Sequence, residues 1–308
     1  MAITAAMVKD LREMTGAGMM DCKKALAETD GDMDKAVEFL REKGLAAAEK
    51  KAGRIAAEGV CAANISEDGK TAAIVEVNSE TDFVAKNDTF KTFVANVVNQ
   101  AIKTNATDID AFLAEAWAQD TTKTVKEELS SLISIIGENM NIRRFQKVVA
   151  ENGFVESYIH GGGRIGVLVE AECAVANDAA REAAKNIAMQ IAAISPKYVQ
   201  RTEIPEDYIA HEKEILKAQA MNENTGKPEN IIEKMIEGRL NKELKEICLV
   251  DQVYVKDGDL TVQKYLDQVS KEIGTTITIK SFVRFETGEG IAKKEENFAE
   301  EVAKQMGL

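Results

Sequence analysis

Residues 74–87 read Ile74-Val75-Glu76-Val77-Asn78-Ser79-Glu80-Thr81-Asp82-Phe83-Val84-Ala85-Lys86-Asn87. The first half alternates apolar and polar side chains, which predicts a half-buried β-strand. The second half predicts a polar loop that carries one large aromatic side chain, Phe83. A helical run from Thr89 to Ile102 follows. The sequence therefore predicts a strand and a helix joined by a connection that presents Phe83.

Phe83 has two interpretations. It either plugs the core of its own domain or acts as a wedge, a side chain that inserts into another protein. A large apolar side chain gains about 1.5–3 kcal/mol when it is covered, which favours the plug in the absence of other information.

The composition is that of a globular protein with many helices. The chain has 308 residues, of which 45% are hydrophobic and 30% are charged, with only 3 prolines. This length is sufficient for two or more domains. The net charge of -13 repels phosphate backbones, so we expect no direct nucleic-acid partner and favour a protein partner. Acidity that serves solubility alone remains an open alternative.

The four cysteines are Cys22, Cys61, Cys173 and Cys248. Without a CxxC pair or a nearby histidine, they predict free thiols rather than a metal site or a disulfide framework. The amino terminus has no signal-peptide pattern, and no apolar run reaches the roughly 18 residues that a membrane span needs. We therefore expect a cytoplasmic protein without a membrane partner.

Residues 4–44 predict three short helices. Thr4 and Asp32 are suited to cap helix amino termini, and Gly16 and Gly44 are suited to end helices. The alanine- and lysine-rich stretch 46–59 predicts a helical linker.

Met19 and Met20 begin the second of these helices after a glycine loop. Both side chains cannot easily point inward. We expect one to fill the core and the other to contact a partner.

An internal repeat follows the linker. Two units of strand, strand and helix are predicted, at 60–65, 72–78 and 89–102, and at 154–159, 165–171 and 178–194. The second unit has Glu172-Cys173-Ala174 after its second strand and no aromatic side chain there. This difference favours the wedge interpretation of Phe83.

Two further stretches could be mistaken for functional sites. Residues 161–166 fit the letters of GxGxxG, but they precede a predicted strand rather than a helix and so predict a hairpin turn. A structural or partner-contact role outranks general-base chemistry for the neighbouring His160. For Arg143 and Arg144, pairing with acids of the same chain is favoured over partner contact.

The remaining elements are mainly helical. The stretch from Asp108 to Gly137 predicts helix with loop edges, and residues 206–248 predict a helical hairpin. Further elements are predicted as a strand at Val253–Val255, a helix at Thr261–Ile273, a strand at Thr276–Phe285 and a terminal helix at Glu295–Met306. We expect both of these strands to complete the second sheet.

The sequence contains no GxSxG, HExxH or Walker A motif. We therefore predict no catalytic residue, no cofactor and no metal site. An enzyme is the least favoured class. A passive scaffold and a regulator that inserts Phe83 into a partner remain.

Two motifs carry a resemblance to a known family. They are Lys9-Asp10-Leu11-Arg12-Glu13-Met14-Thr15-Gly16-Ala17-Gly18-Met19-Met20-Asp21-Cys22-Lys23-Lys24-Ala25-Leu26 and Thr81-Asp82-Phe83-Val84-Ala85-Lys86-Asn87. Both are similar to motifs of the bacterial translation elongation factor Ts family. The stretches 137–144 and 285–290 are similar to further family segments, whereas 106–130 carries no family motif.

The resemblance implies an α+β fold with a core of two similar antiparallel β-plus-helix subdomains. The predicted parts are a three-helix module resembling a ubiquitin-associated (UBA) domain (1–45), a helical linker (46–59), core subdomain N (60–140), core subdomain C (141–205 and 249–287), a helical hairpin or coiled coil for dimerisation (206–248) and a carboxyl-terminal helical module (288–308).

The resemblance also implies guanine-nucleotide exchange on elongation factor Tu, without covalent chemistry. The residues implied to enter the partner and dislodge its Mg²⁺ are Thr81, Asp82, Phe83 and Val84. The residues implied to bind the partner from the amino-terminal module are Lys9, Arg12, Met19 and Met20. The hairpin is implied to form a homodimer or a two-plus-two complex with Tu.

Overall fold

The computed structural model describes residues 3–223 and 228–292. The helices are α1 (Ala5–Thr15), α2 (Met19–Glu28), α3 (Met33–Lys51), α4 (Asp82–Lys86), α5 (Asp88–Ala101), α6 (Ile109–Ala114), α7 (Val125–Ile136), α8 (Asp178–Ile194), α9 (Glu206–Glu223), α10 (Glu229–Ile247) and α11 (Val262–Ile273). The strands are β1 (Glu58–Ile65), β2 (Thr71–Ser79), β3 (Ala116–Trp117), β4 (Asp120–Thr124), β5 (Met140–Val149), β6 (Phe154–His160), β7 (Ile165–Cys173), β8 (Val253–Tyr254), β9 (Asp257–Thr261) and β10 (Ile277–Glu286). The fold is mixed α+β, as predicted.

The amino-terminal module consists of α1, α2 and α3 around a small core that includes Leu11, Cys22 and Leu26. Thr4 and Asp32 cap α1 and α3 with their side chains, as predicted. The prediction that Gly44 ends the third helix is wrong, because α3 continues to Lys51 through an alanine-rich stretch that favours helix.

The linker prediction needs a related correction. Residues 46–51 are the last part of α3, and β1 already begins at Glu58. Only residues 52–57 connect the two elements, and they are not helical.

Two three-stranded antiparallel sheets form the core, in the orders β1-β2-β5 and β10-β7-β6. β5 pairs with β2 from Ser79↔Met140 to Thr71↔Val149. The predicted boundary between the subdomains at residue 140 is therefore wrong, because residues 141–149 complete the first sheet. The prediction that the strand at Val253–Val255 completes the second sheet is also wrong, since β8 pairs with β9 and β10 is the strand that joins β7.

The two subdomains correspond element by element, more deeply than the sequence predicted. The first contains β1, β2, α5, the β3–β4 hairpin, α7 and β5, and the second contains β6, β7, α8, the β8–β9 hairpin, α11 and β10. Even the glutamine that holds each hairpin is repeated. Gln100 of α5 bonds to the main chain of Ala116 and Ala118, and Gln190 of α8 bonds likewise to Val253 and Val255.

An apolar cluster between the two sheets joins them and includes Cys61, Ile74 and Leu168. Residues 161–164 form the predicted turn. A Cβ at Gly166 would stand 2.9 Å from Ile74 Cδ1 and 3.0 Å from Cys61 Cβ, so glycine permits this close approach without a shift of the neighbouring side chains. The glycine-rich segment therefore serves packing between the subdomains.

The α9–α10 hairpin is present as predicted and buries its own apolar seam, which includes Leu216, Ile236 and Leu240. Its predicted turn at 224–227, the terminal helix at Glu295–Met306 and most of the carboxyl-terminal module lie outside the described residues. Within the described residues, every helix is too short or too polar to cross a bilayer.

Candidate partner-binding site

Phe83 lies on α4, a helix of five residues, rather than on the predicted loop. Its side chain is 81% exposed. The plug interpretation is thereby excluded for this conformation, because a core residue would be covered. The ring of Phe83 is therefore accessible from outside the molecule.

The neighbours of Phe83 divide into two groups. Val84 and Ala85 are buried, and Val84 packs into the core of the first subdomain. Asp82 is exposed and receives a bond of 2.6 Å from Lys86, one turn further along. α4 therefore has one face fixed to the core and one face that presents Phe83 with Asp82.

Asp82 stays ionised on that face. The hydrogen bond from Lys86 is the main cause that holds the pKa of Asp82 below its ordinary value. An anionic group thus stands directly beside the exposed ring.

Thr81 is the N-cap of α4, and its hydroxyl oxygen accepts a bond of 3.3 Å from the amide of Val84. The amide and the hydroxyl of Thr81 also donate to the two carboxylate oxygens of Glu138, at 3.0 and 2.6 Å. Of the four residues predicted to enter the partner, Asp82 and Phe83 are therefore the exposed pair, whereas Thr81 and Val84 hold α4 in place.

A second carboxylate, Glu80 directly after the end of β2, supports the same region by bonding to the segment that precedes β5. Glu80 accepts a bond of 2.5 Å from the backbone amide of Asn139 and lies 3.4 Å from Arg54 of the 52–57 connection. The Asn139 side chain in turn donates to the carbonyl of Arg54. Sequence reasoning singled out residues 137–144 but gave Glu138 no role, because its partner lies 57 positions away.

The residues predicted on the amino-terminal module are all on its surface. Met19 and Met20 are 57% and 74% exposed, so the prediction that one of them fills the core is wrong. The inward face of α2 is already occupied by Cys22, Ala25 and Leu26. Lys9 and Arg12 are exposed on α1, where Lys9 lies 3.6 Å from Glu13.

The cysteines and His160 lie outside this region. All four cysteines are buried free thiols, and burial raises the pKa of Cys61 to about 11, which leaves it protonated and unreactive. His160 is exposed and its Nδ1 lies 2.9 Å from the Tyr158 hydroxyl. In the described part of the chain no group of three or more His, Cys, Asp or Glu side chains is arranged to hold a metal ion.

Comparison with known proteins places this chain in a family. The family model described as Elongation factor TS matches residues 80–289. The chain is 57% identical over 304 residues to elongation factor Ts of Clostridium novyi (strain NT) and to that of Clostridium tetani (strain Massachusetts / E88), and 56% identical over 305 residues to that of Clostridium perfringens (strain 13 / Type A). Each of these matches covers 99% of both chains. The chain therefore belongs to the elongation factor Ts family.

Proposed function

We propose that this chain, a guanine-nucleotide exchange factor for elongation factor Tu in translation elongation, promotes GDP release by inserting α4 into its partner. The observation that carries the proposal is the 81% exposure of Phe83 on a helix that is anchored at its amino terminus and along its buried face. Exchange requires no covalent chemistry from this chain.

The energy that Phe83 can supply is sufficient for a large acceleration. Covering a phenylalanine gains about 1.5–3 kcal/mol, and each tenfold increase in rate requires about 1.4 kcal/mol of selective stabilisation of the opened state. Because α4 is already held in one orientation, little of this gain is lost in ordering it on contact.

The role that we propose for Asp82 is to anchor the helix in polar surroundings beside the inserted ring. Insertion would displace Mg²⁺ from the nucleotide site of Tu. Because Mg²⁺ neutralises phosphate charge in such sites, its loss weakens GDP binding. Thr81 and Val84 contribute by fixing α4, in line with their contacts to Glu138 and to the core.

The amino-terminal module supplies a second contact in this proposal. Met19 and Met20 provide exposed, adaptable apolar surface on α2, and Lys9 and Arg12 add positive charge on α1. In this proposal the nucleotide and this chain each weaken the binding of the other to Tu, and the two effects are equal because coupling between two binding sites is reciprocal.

The α9–α10 hairpin is our candidate for self-association, either as a homodimer or within a two-plus-two complex with Tu. Ile215, Met221 and Ile231 remain exposed on it at 37%, 58% and 44%. A cytoplasmic location remains a prediction from the sequence.

The test is stopped-flow release of a fluorescent GDP analogue from Tu, with excess GDP and substoichiometric amounts of this protein. We expect Phe83→Ala to lower the exchange rate by at least about tenfold, because the covered apolar area is lost. Val253→Ala is the matched control, since Val253 is also highly exposed, at 60%, but lies in the second subdomain. Unchanged exchange in Phe83→Ala would remove the wedge from the mechanism.

A further inference from the structure

We propose that Glu138 is a positioning residue for nucleotide exchange, which acts by fixing the amino terminus of α4 and hence the direction in which Phe83 is presented. The inference rests on the proposed function of Phe83. It adds a half-buried residue that is distant in sequence from the wedge and that bonds to Thr81.

The bonds between Glu138 and Thr81 determine how α4 begins. Each carboxylate oxygen of Glu138 receives one donor of Thr81, the amide at 3.0 Å and the hydroxyl at 2.6 Å. Because the hydroxyl proton points to Glu138, the lone pairs of the same oxygen are free to accept from the Val84 amide. The carboxylate therefore orients the cap as well as holding the backbone.

Glu80 and Glu138 form a crossed arrangement beyond the end of the sheet. The β2–β5 ladder ends at Ser79↔Met140. Beyond this pair, Glu80 accepts a hydrogen bond from the amide of Asn139, in the segment that precedes β5. Glu138 of that segment accepts a hydrogen bond from the amide of Thr81, in the segment that follows β2. Two side chains thus continue the pairing where the main-chain ladder stops, and they prevent fraying at the base of α4.

The second subdomain provides an internal comparison. There β7 ends at Cys173, which pairs with Ile277 as Ser79 pairs with Met140. The positions that correspond to Glu80 and Glu138 are Ala174 and Thr275, one residue after β7 and two residues before β10.

The second subdomain also lacks a counterpart of α4, since only residues 174–176 separate β7 from Asn177, the N-cap of α8. The carboxylates therefore occur in the copy that carries the wedge and are missing from the copy that does not. This correlation links them to α4 rather than to the sheet.

A helix as short as α4 depends on such supports. Helices below about 12 residues are marginal in water by themselves. The carboxyl end of α4 is held by the bond from the Asn87 amide to the Val84 carbonyl, and its amino end by Thr81 and Glu138. Loss of Glu138 would free one end and let the ring of Phe83 take several directions.

The experiment is a double-mutant cycle with the wild type, Phe83→Ala, Glu138→Ala and the combined variant. The measured quantities are the rate of GDP release at saturating exchange factor and the concentration that gives half of this rate. We expect Glu138→Ala to lower the saturating rate by about fivefold in the presence of Phe83, as for loss of a helix cap, and to have no further effect in the Phe83→Ala background.

Two further variants separate positioning from general damage. Glu138→Gln keeps one acceptor oxygen for two donors, so its rate should lie between those of Glu138→Ala and the wild type, and it replaces Glu138→Ala in the cycle if that variant fails to fold. Glu203→Ala is the matched control, because Glu203 also accepts a backbone bond, of 2.9 Å from Val199, but lies in the second half of the chain. It should leave the rate unchanged.

The outcomes distinguish the two proposals. An equal loss from Glu138→Ala with and without Phe83 would overturn the positioning role, since the effect would not pass through the ring. A normal rate for Glu138→Ala beside a low rate for Phe83→Ala would overturn this inference and leave the proposed function intact. A normal rate for Phe83→Ala would overturn both.

Discussion

At the scale of single residues, Glu76 in the middle of β2 is a fully buried carboxylate with a complete set of partners. Arg143 and Arg144 donate to its two oxygens at 3.0 and 2.6 Å. The Asn78 side chain and the Gly288 amide add bonds of 3.0 and 2.8 Å. This confirms the prediction that the two arginines pair within the chain, and it ties the turn after β10 to the first sheet.

These partners set the protonation of Glu76. Burial favours its neutral form and would raise its pKa, but the bonds from Gly288 and Asn78 and the charges of Arg144 and Arg143 outweigh burial and hold the pKa below its ordinary value. A carboxyl whose folded pKa is lowered stabilises the fold above its unfolded pKa. That stability is lost as pH falls towards the folded pKa.

We expect Glu76→Ala to lower the free energy of unfolding by about 3–5 kcal/mol at neutral pH, because it leaves the two arginines without their buried partner. The difference from the wild type should shrink as pH falls below the ordinary glutamate pKa of about 4.3. Urea unfolding across this range measures it, with Glu76→Gln as the variant that keeps the shape and removes the charge. A difference that stays constant down to acid pH would contradict the assigned role of the charge.

The sequence predicted some of these residues and not others, for a physical reason. Phe83 could be selected because a large aromatic side chain in a polar stretch is conspicuous locally. Glu138 could not, because its role depends on which strand lies beside β2, and the sequence pattern assigned residues 141–149 to the wrong sheet. Long-range pairing is invisible to local periodicity.

At the scale of elements, each copy of the repeated subdomain carries its own insertion. The first has α4 between β2 and α5 and α6 between α5 and β3, and the second has α9 and α10 between α8 and β8. The shared frame is held by the same sheet order and the same hairpin contacts in both copies. The frame therefore supplies most of the core, to which α4 adds Val84, and the insertions are the elements that differ between the two copies.

The shared frame predicts the outcome of removing α4. Deletion of residues 82–85 leaves three residues, Glu80, Thr81 and Lys86, between β2 and Asn87, as in the second copy. We expect the protein to fold with a free energy of unfolding lowered by about 1.5–3 kcal/mol, for the lost burial of Val84, and with exchange reduced to the level of Phe83→Ala.

Circular dichroism, urea unfolding and GDP release test this deletion. An unfolded product would show that α4 is part of the frame.

The reliability of the sequence prediction also differs between elements. The helix predicted at Asp178–Ile194 has those bounds in the structure, because its apolar residues recur at helical spacing over five turns. The sequence does not predict the β3–β4 hairpin, and it places the first strand of the β8–β9 hairpin in the wrong sheet. Their first strands have only two residues each, and the main-chain bonds that fix them come from Gln100 and Gln190 on other elements.

At the scale of the whole molecule, the amino-terminal module is held to the first subdomain through α3 and α7. Arg41 lies 3.0 Å from Glu127 and donates to the carbonyl of Thr122 at 3.2 Å. A cavity of about 260 Å³ lies between the module and the core, bordered by Gly18, Leu40 and other residues of both parts. The interface thus combines ionic contacts with incomplete packing, which is typical of a module that docks rather than merges.

A close approach of α3 to α7 permits a covalent test of the docking. A side chain at Gly44 would place its Cβ 3.8 Å from the Cβ of Ser134, which is about the mean spacing in disulfides. We expect Gly44→Cys with Ser134→Cys to oxidise to a disulfide and to raise the free energy of unfolding by about 2–4 kcal/mol, since the bond closes a long loop.

Non-reducing electrophoresis, mass measurement and urea unfolding of the oxidised and reduced forms measure this effect. The single variant Gly44→Cys is the control, and failure to cross-link would contradict the observed docking. The native thiols do not interfere, because all four are buried.

The internal duplication has a spectroscopic consequence. The single tryptophan, Trp117, is buried in the first subdomain and stacked on Phe93, whereas all five tyrosines lie at or after position 158 and include the stacked pair Tyr254 and Tyr265 of the second subdomain. Selective excitation of the indole therefore observes only the first half of the core, and near-ultraviolet signals of the phenols observe the second half and the hairpin. Without any added label, the protein therefore carries a different intrinsic chromophore in each half of its repeated core.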